Sequence, residues 1–393
     1  MELSAATLGF IHNHWDDNTK TLALQGKKYP EVDMPLALRQ IQGRQIAKHK
    51  LPSWYTREEI RYPSHLSLEQ CSSETTARYK TSLCQGNTLT DLTGGFGIDC
   101  AFLAAHFREV HYVEQQPELC RIATHNFSVL GLTQIAVHES DSTLYLKHMQ
   151  PVDMIYLDPA RRNDTGGKTV LLSDCTPDLT QIGALLPEKA RRVLIKLSPM
   201  LDITQALKEI AGVSEVHIVS VRNECKELLF ILSSDPVTTP LLRCVDLGNT
   251  RTHLFSFTRE EERKAVCEYA PEVLRYVYEP NSSLRKAGAF SLPAQRYGLK
   301  KLHPHSHLYT SEQLHSDFPG RTFEVEATGS FHRKEWKSLL GDLTQANLTV
   351  RNFPVPVAEI RKRTKLREGG DTYLFATTLY NEQKVLIRCR KSD

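Results

Sequence analysis

The sequence predicts an α/β protein: an open, mostly parallel sheet, preceded by a helical lead-in and followed by a smaller α+β domain. Three observations carry that expectation. From Thr88 to about Ser233, short apolar runs of strand length alternate with segments of helix length, the pattern of a parallel sheet with helices on both faces. The 393 residues are too many for one compact core and predict two or three domains. Beyond residue 294 the order becomes strand–helix–strand–helix–strand–strand, a split α+β arrangement of the ferredoxin-like kind.

Residues 1–80 are polar and helix-compatible, broken by prolines at 30, 35, 52 and 63, with apolar residues at helical spacing in Pro35–Lys48. Ser72 is placed to cap a helix running toward Leu83. The second segment, 81–235, offers strands at 88–92, 109–113, 135–138, 154–157, 192–196, 215–220 and 227–232, with helices at 98–107, 117–131, 178–190 and 202–211. The last two strands have no helix between them, so they form a hairpin whose final strand runs antiparallel. Residues 236–293 read as an irregular bridge in which 246–257 forms a hairpin. In 294–393, strands fall at 321–327, 349–352, 372–378 and 385–390, with helices at 332–343 and 356–365.

Composition narrows the class. With 40% hydrophobic and 24% charged residues, the chain reads as an ordinary globular protein. No run of 18 apolar residues occurs, and Met1-Glu-Leu-Ser-Ala lacks a basic flank before an apolar core, so neither a membrane span nor a secretory signal is expected. The nine cysteines include no C-x-x-C pair, which points to a reducing cytoplasm and away from a zinc finger. The net charge of +3 hides an asymmetry: from Ala294 onward 17 Lys+Arg face 11 Asp+Glu, and the remainder is slightly acidic. A basic C-terminal domain attracts a polyanion.

The chemistry begins at Asp91-Leu-Thr-Gly94-Gly95-Phe96-Gly97, between a strand and an apolar helix. Glycines there let a ligand approach the backbone N–H groups. A plain strand-to-helix turn is the alternative, but two neighbours argue for a nucleotide site. The second strand ends in Glu114, 23 residues after Asp91, where an acid accepts hydrogen bonds from ribose hydroxyls. Asp141 follows the third strand, where it can meet a base's exocyclic amine. Gly95-x-Gly97-x-x-Cys100 matches the dinucleotide fingerprint only approximately, and a carboxylate at Asp91 repels pyrophosphate. The same carboxylate suits a cationic amino-acid tail, which favours S-adenosylmethionine. A further strand ends in Asp158-Pro159-Ala160-Arg161.

On these motifs, residues 85–235 resemble the class I S-adenosylmethionine-dependent methyltransferases, which implies a Rossmann-like seven-stranded sheet. The resemblance implies that Asp91, Gly94, Gly95, Phe96 and Gly97 surround the methionine moiety, that Glu114 holds the ribose and that Asp141 faces the adenine. Asp158 and Pro159 then stand where the acceptor meets the methyl group. With Lys196-Leu-Ser-Pro199 and the basic C-terminal module, the layout resembles bacterial RNA methyltransferases carrying a THUMP-like tail. Amino-group methyltransferases of this class carry Asn/Asp-Pro-Pro-aromatic at the fourth motif. Here Ala160-Arg161 replaces the last two, so any base stacking must come from Tyr156, Phe96 or the lead-in. Asp-Pro-x-Arg also resembles pyrimidine-C5 enzymes, but Leu-Ser-Pro-Met after Lys196 supplies no nucleophilic cysteine.

In this reading Asp158 orients the acceptor, Arg161 and Arg162 hold a phosphate, and Lys196 and Ser198 line the same cleft. Glu69, Gln70, Ser72 and Ser73 either cover the cofactor or cap helices. Arg361, Lys362, Arg363, Lys365 and Arg367 form the sharpest basic cluster, suited either to RNA phosphates or to a solvated helix end. His303-Pro-His-Ser-His307 lacks acidic or cysteine partners nearby, and no metal is expected. The partner expected is structured RNA. A protein or small-molecule acceptor remains open, as does an RNA-binding protein with a vestigial cofactor site.

Overall fold

The computed structural model describes residues 3–161, 172–234, 237–249 and 251–392. The chain divides into two compact units, Met1–Glu215 with Glu227–Thr238, and Val216–Lys226 with Thr239–Asp393.

In the first unit four parallel strands are central: β1 (Thr88–Asp91), β2 (Glu109–Glu114), β3 (Ile135–Glu139) and β4 (Val152–Leu157). β1 pairs with β2 on one side and with β4 on the other; β3 lies outside β2. Strand Ala190–Leu197 continues the parallel set beyond β4, and Glu224–Ser233 then pairs with it antiparallel, as the hairpin pattern predicts. Because the order reverses between β1 and β4, a crevice opens at the carboxyl ends of these two strands. Near-continuous apolar runs such as Met154–Leu157 and Leu228–Leu232 are buried, as expected for strands covered on both faces.

The lead-in is helical. Helix Met34–Lys50 is capped by Asp33, whose carboxylate accepts from Leu36 N at 3.1 Å, and ends in Lys48, His49 and Lys50, which suit the negative end of its dipole. Buried Gln40 clamps the backbone of Tyr62 in both directions: its Nε2 donates to the Tyr62 carbonyl at 2.9 Å and its Oε1 accepts from Tyr62 N at 2.8 Å.

Three local expectations change. A helix at Ser142–His148 fills the β3–β4 connection, started by Asp141, which accepts from Leu144 N at 2.9 Å. The helix expected at 178–190 is two short ones, Leu179–Ile182 and Leu186–Lys189. Ser73, not Ser72, caps helix Glu74–Thr81, accepting from Thr76 N at 3.3 Å.

In the second unit, Leu241–Leu247 and Thr252–Thr258 form a hairpin whose first strand begins five residues before the expected 246–257. A seven-stranded sheet runs in the order Lys300–Lys301, Tyr309–Ser311, Tyr276–Pro280, Gly320–Ser330, Lys384–Lys391, Thr372–Thr378, Asn347–Arg351. The last four strands, with helices Arg333–Leu340 and Val357–Thr364, supply the ferredoxin-like pattern. The first three are too short or too polar to stand out in the sequence. Among the described residues, no helix is long and apolar enough to cross a membrane.

Gly43 sits inside helix Met34–Lys50, where a Cβ would lie 2.3 Å from Cβ of Tyr62. Gly43→Ala gains up to about 1 kcal/mol of helix propensity, but overpacking against Tyr62 costs about 1–3 kcal/mol. The clash therefore wins or at best breaks even. Urea denaturation should show a lowered midpoint for this variant.

Candidate functional site

Asp91 ends β1 and is 1% exposed; one of its oxygens accepts from Thr93 N at 3.0 Å. The Thr93 hydroxyl in turn accepts from Asp158 N at 2.6 Å, and Leu92 N donates to the Tyr156 carbonyl at 3.0 Å. The ends of β1 and β4 are thus stitched together across the switch point. Gly95 and Gly97 adopt φ of +54° and +85°, a conformation that favours glycine. Gly97 begins helix Ile98–Leu103, and a Cβ on Gly94 would lie 2.2 Å from the Tyr112 ring. The loop is therefore fixed by backbone sterics and by close packing on β2.

Glu114, ending β2, accepts from Gly95 N and from Gln116 N, each at 2.9 Å. Asp141 is exposed after β3, and the neighbouring Ser142 hydroxyl donates to the Leu92 carbonyl at 2.6 Å. Asp158 follows β4 and forms an ion pair with Lys196 from the adjacent strand. Pro159 is buried; the backbone of Arg161 pairs with Cys175 in a two-residue ladder, and Arg162 lies outside the described residues. Ser198 accepts from Met200 N at 3.2 Å. Phe96 is 3% exposed and packs edge-on against Trp54, while the Tyr156 hydroxyl donates to Asp99 at 2.7 Å from a ring 1% exposed. Both rings are committed to the interior.

Acids dominate this crevice. Burial pushes the Asp91 carboxyl well above the usual range; the hydrogen bond from Thr93 N opposes the shift, and Asp99, Asp158 and Glu114 add to it. Burial by itself would lower Lys196, but Asp158, Asp99 and Glu227 outweigh it and hold the amine above its ordinary value. The ion pair with Asp158 thus favours the protonated amine.

The structure also reveals a buried charge network behind the loop that the sequence reading missed. Lys80 is fully buried, with Nζ 2.9 Å from both Glu227 oxygens, 3.0 Å from the Ser72 hydroxyl and 3.2 Å from Asp99. Ser72 donates to Asp99 at 2.7 Å. Burial would raise the Asp99 carboxyl, but Lys80, Lys196 and hydrogen bonds from Tyr156 and Ser72 hold it below the usual range. Burial raises Glu227 in spite of Lys80 and Lys196. Asp99 lies two residues beyond Gly97 and could have been singled out; Lys80 and Glu227 give no local signal. From the lead-in, Lys50 donates to the carbonyls of Leu68 at 2.9 Å and Glu69 at 2.6 Å. Its pKa is lowered by burial, and Lys196 contributes to the shift.

In the C-terminal cluster, Lys362, Arg363, Lys365 and Arg367 are exposed. Arg361 is engaged by Glu368 and by the carbonyls of Leu366 and Ala346, and Arg363 by Glu359 at 2.9 Å. His303 contacts Glu382 and Asn352 and lies beside His305, with ring centroids 5.4 Å apart, while His307 has a positive φ. Among the described residues, no group of three His, Cys, Asp or Glu could hold a metal ion.

Comparison with known proteins gives this geometry a family. Residues 40–163 match the model of protein-L-isoaspartate(D-aspartate) O-methyltransferase, residues 276–319 a ferredoxin-like domain and residues 320–391 a THUMP domain-like family. A crystal structure described as a putative methyltransferase from Porphyromonas gingivalis W83 shares 36% identity, covering 99% of this chain and 98% of that one, with a TM-score of 0.89. The chain belongs to the family of that protein: a methyltransferase fold joined to ferredoxin-like and THUMP-like domains. SMU.1697c, described as a putative methyltransferase from Streptococcus mutans in complex with SAH, is similar at 13% identity over 41% of this chain and 96% of that one, with a TM-score of 0.30. A comparison with curated proteins finds no match.

Two variants test the electrostatics. Lys80→Met strands the Asp99 and Glu227 carboxylates in the interior, so it should cost about 3–5 kcal/mol in urea denaturation near neutral pH. Asp91 acts in the opposite sense. Its carboxyl titrates higher in the folded state than in the unfolded chain, where the value is about 3.9. As pH rises above that value the unfolded chain loses its proton first, and stability falls until the folded carboxyl also ionises. Asp91→Asn keeps the acceptor for Thr93 N and removes this loss. The variant should melt higher than wild type at pH 7, with the gain shrinking toward about pH 4; scanning calorimetry across that range checks it.

Proposed function

We propose that the protein transfers a methyl group from S-adenosylmethionine to a base of structured RNA, tRNA or rRNA, in the cytoplasm. The observation that carries the reading is the buried Asp91 carboxyl at the switch point, beside a glycine loop. Among the described residues it forms no ion pair. A carboxylate desolvated without a cation is costly, and the ammonium group of a methionine moiety is a fitting counter-charge. Glu114 keeps lone pairs free for ribose hydroxyls after accepting from Gly95 and Gln116, and Asp141 serves the adenine end.

When bound, S-adenosylmethionine supplies a methyl group already activated by its sulfonium. The chain's own residues have to align an acceptor and exclude water. In this reading Asp158 orients the acceptor and receives its hydrogen bond, Lys196 fixes the Asp158 carboxylate, and Pro159 limits the loop's freedom. Arg161 is assigned to a phosphate of the substrate. The buried Phe96 and Tyr156 leave base stacking to another segment.

Support for RNA comes from the THUMP-like match and from the exposed Lys362, Arg363, Lys365 and Arg367, with Arg361 in a fastening role beside them. A protein acceptor is the second reading, favoured by the family-model match over 40–163. Calorimetry with S-adenosylmethionine tests the donor: saturable binding is expected, and its absence would leave an RNA-binding protein with a vestigial site. Transfer of tritiated methyl into total RNA and total protein from cells lacking the gene tests the acceptor, and label in protein alone would rule out RNA. Asp158→Ala should reduce turnover about 10²-fold or more while cofactor affinity stays within a few fold. Lost cofactor binding would show that Asp158 belongs to the donor pocket.

A further inference from the structure

A second concentration of charge lies within the second unit and uses none of the crevice residues. Glu279, on strand Tyr276–Pro280, is 1% exposed and accepts from Arg351 Nη2 at 2.6 Å and from Arg321 Nε at 2.9 Å, with Arg321 Nη2 bound as well. Arg321 sits directly opposite Glu279 on the neighbouring strand. A third guanidinium, Arg285 on helix Ser282–Ala287, feels all three of these groups. Nε of Arg285 and Nε of Arg351 are buried with no hydrogen-bond partner among the described residues, and so is Nδ1 of His307.

Three guanidiniums answered by one carboxylate leave a surplus of two positive charges. Lys301, 3% exposed, adds a further cation nearby. Burial first, then the repulsion of Arg351 and Arg321, lowers Arg285. His307 is driven down to about 4 by burial and then by Lys301, His305, Arg351 and Arg285. It is therefore neutral at physiological pH and stacks on Phe290 with ring centroids 3.7 Å apart. Uncompensated cations with shielded, unpartnered donors are expensive, unless an anion completes the set. A phosphate group carries the matching charge, and guanidinium forks fit its oxygens.

We propose that Arg285, Arg321 and Arg351 form a phosphate-binding site, with Nδ1 of His307 as an additional polar contact. The group it takes is a phosphate of the RNA backbone or free inorganic phosphate. The site stands independently of the methyl-transfer reading. Arg285 is the informative position, because its removal breaks no ion pair with Glu279.

The experiment measures two affinities on the full-length protein, wild type and Arg285→Gln. One is inorganic phosphate by calorimetry at constant ionic strength; the other is unfractionated tRNA by filter binding. The variant should lose about tenfold in affinity for at least one probe, and without ligand it should melt higher than wild type because a repulsive charge is gone. A fall for tRNA, with inorganic phosphate competing, identifies the RNA backbone; a fall for inorganic phosphate alone identifies the free ion. Unchanged affinity for both probes overturns the site. Should Arg285→Gln fail to fold, Arg285→Lys retains the charge without the fork. Weakening in that variant supports the site, and none overturns it.

Discussion

Everything at the candidate active site depends on how carboxylates are tolerated where water is excluded. Asp91, Asp99, Asp158 and Glu227 crowd the carboxyl ends of the strands and the helix that starts there, and buried Lys80 and half-buried Lys196 oppose them. Lys80 contacts both carboxylates behind the loop and Lys196 engages the acid in front of it. Asp91 is the one of the four that forms no ion pair among the described residues. The Lys80 arrangement is therefore structural and the Asp91 arrangement is poised for a ligand, although both are carboxylates in the same crevice.

The lead-in belongs to this argument. Lys80 and Ser72 come from the segment just before β1, and their contacts with Asp99 tie that segment to the glycine-loop helix. Lys50 caps the last carbonyls of helix His65–Gln70 at a point close enough to Lys196 to feel its charge. A segment that reads as a polar preamble in the sequence is part of the wall of the crevice.

What was legible followed from local rules. The strand–helix alternation, the antiparallel final strand and the C-terminal α+β order are periodicity signals, and they hold because those strands bury nearly continuous apolar runs. The glycine loop with Asp91, Glu114 and Asp158 was legible because strand ends in such sheets converge. What escaped depends on long-range pairing. Glu227 lies 147 residues from Lys80, and nothing around either marks a buried ion pair. Ser72 and Ser73 are both sound caps by composition; the buried demand of Asp99 for a donor decides which one is released from capping. Phe96 and Tyr156 looked available for stacking because sequence gives residue type but not exposure. The Arg285–Arg321–Arg351 set comes from a helix and two strands spread over 67 residues, so no run of basic residues announced it.

The Thr93 hydroxyl has one proton and sits between two strand ends, accepting from Asp158 N and lying 3.5 Å from Asp91. With the backbone amide occupying its acceptor side, its own proton is free to point only toward Asp91. With the Leu92–Tyr156 backbone bond, this rotor sets the spacing of the two carboxylate-bearing loops and joins them as one piece. Distance between donor and acceptor pockets is then a property of the resting fold. A valine at this position would leave Asp158 N without this acceptor, while the Leu92–Tyr156 backbone bond still holds the strand ends together, so the gauge loosens without the loops coming apart.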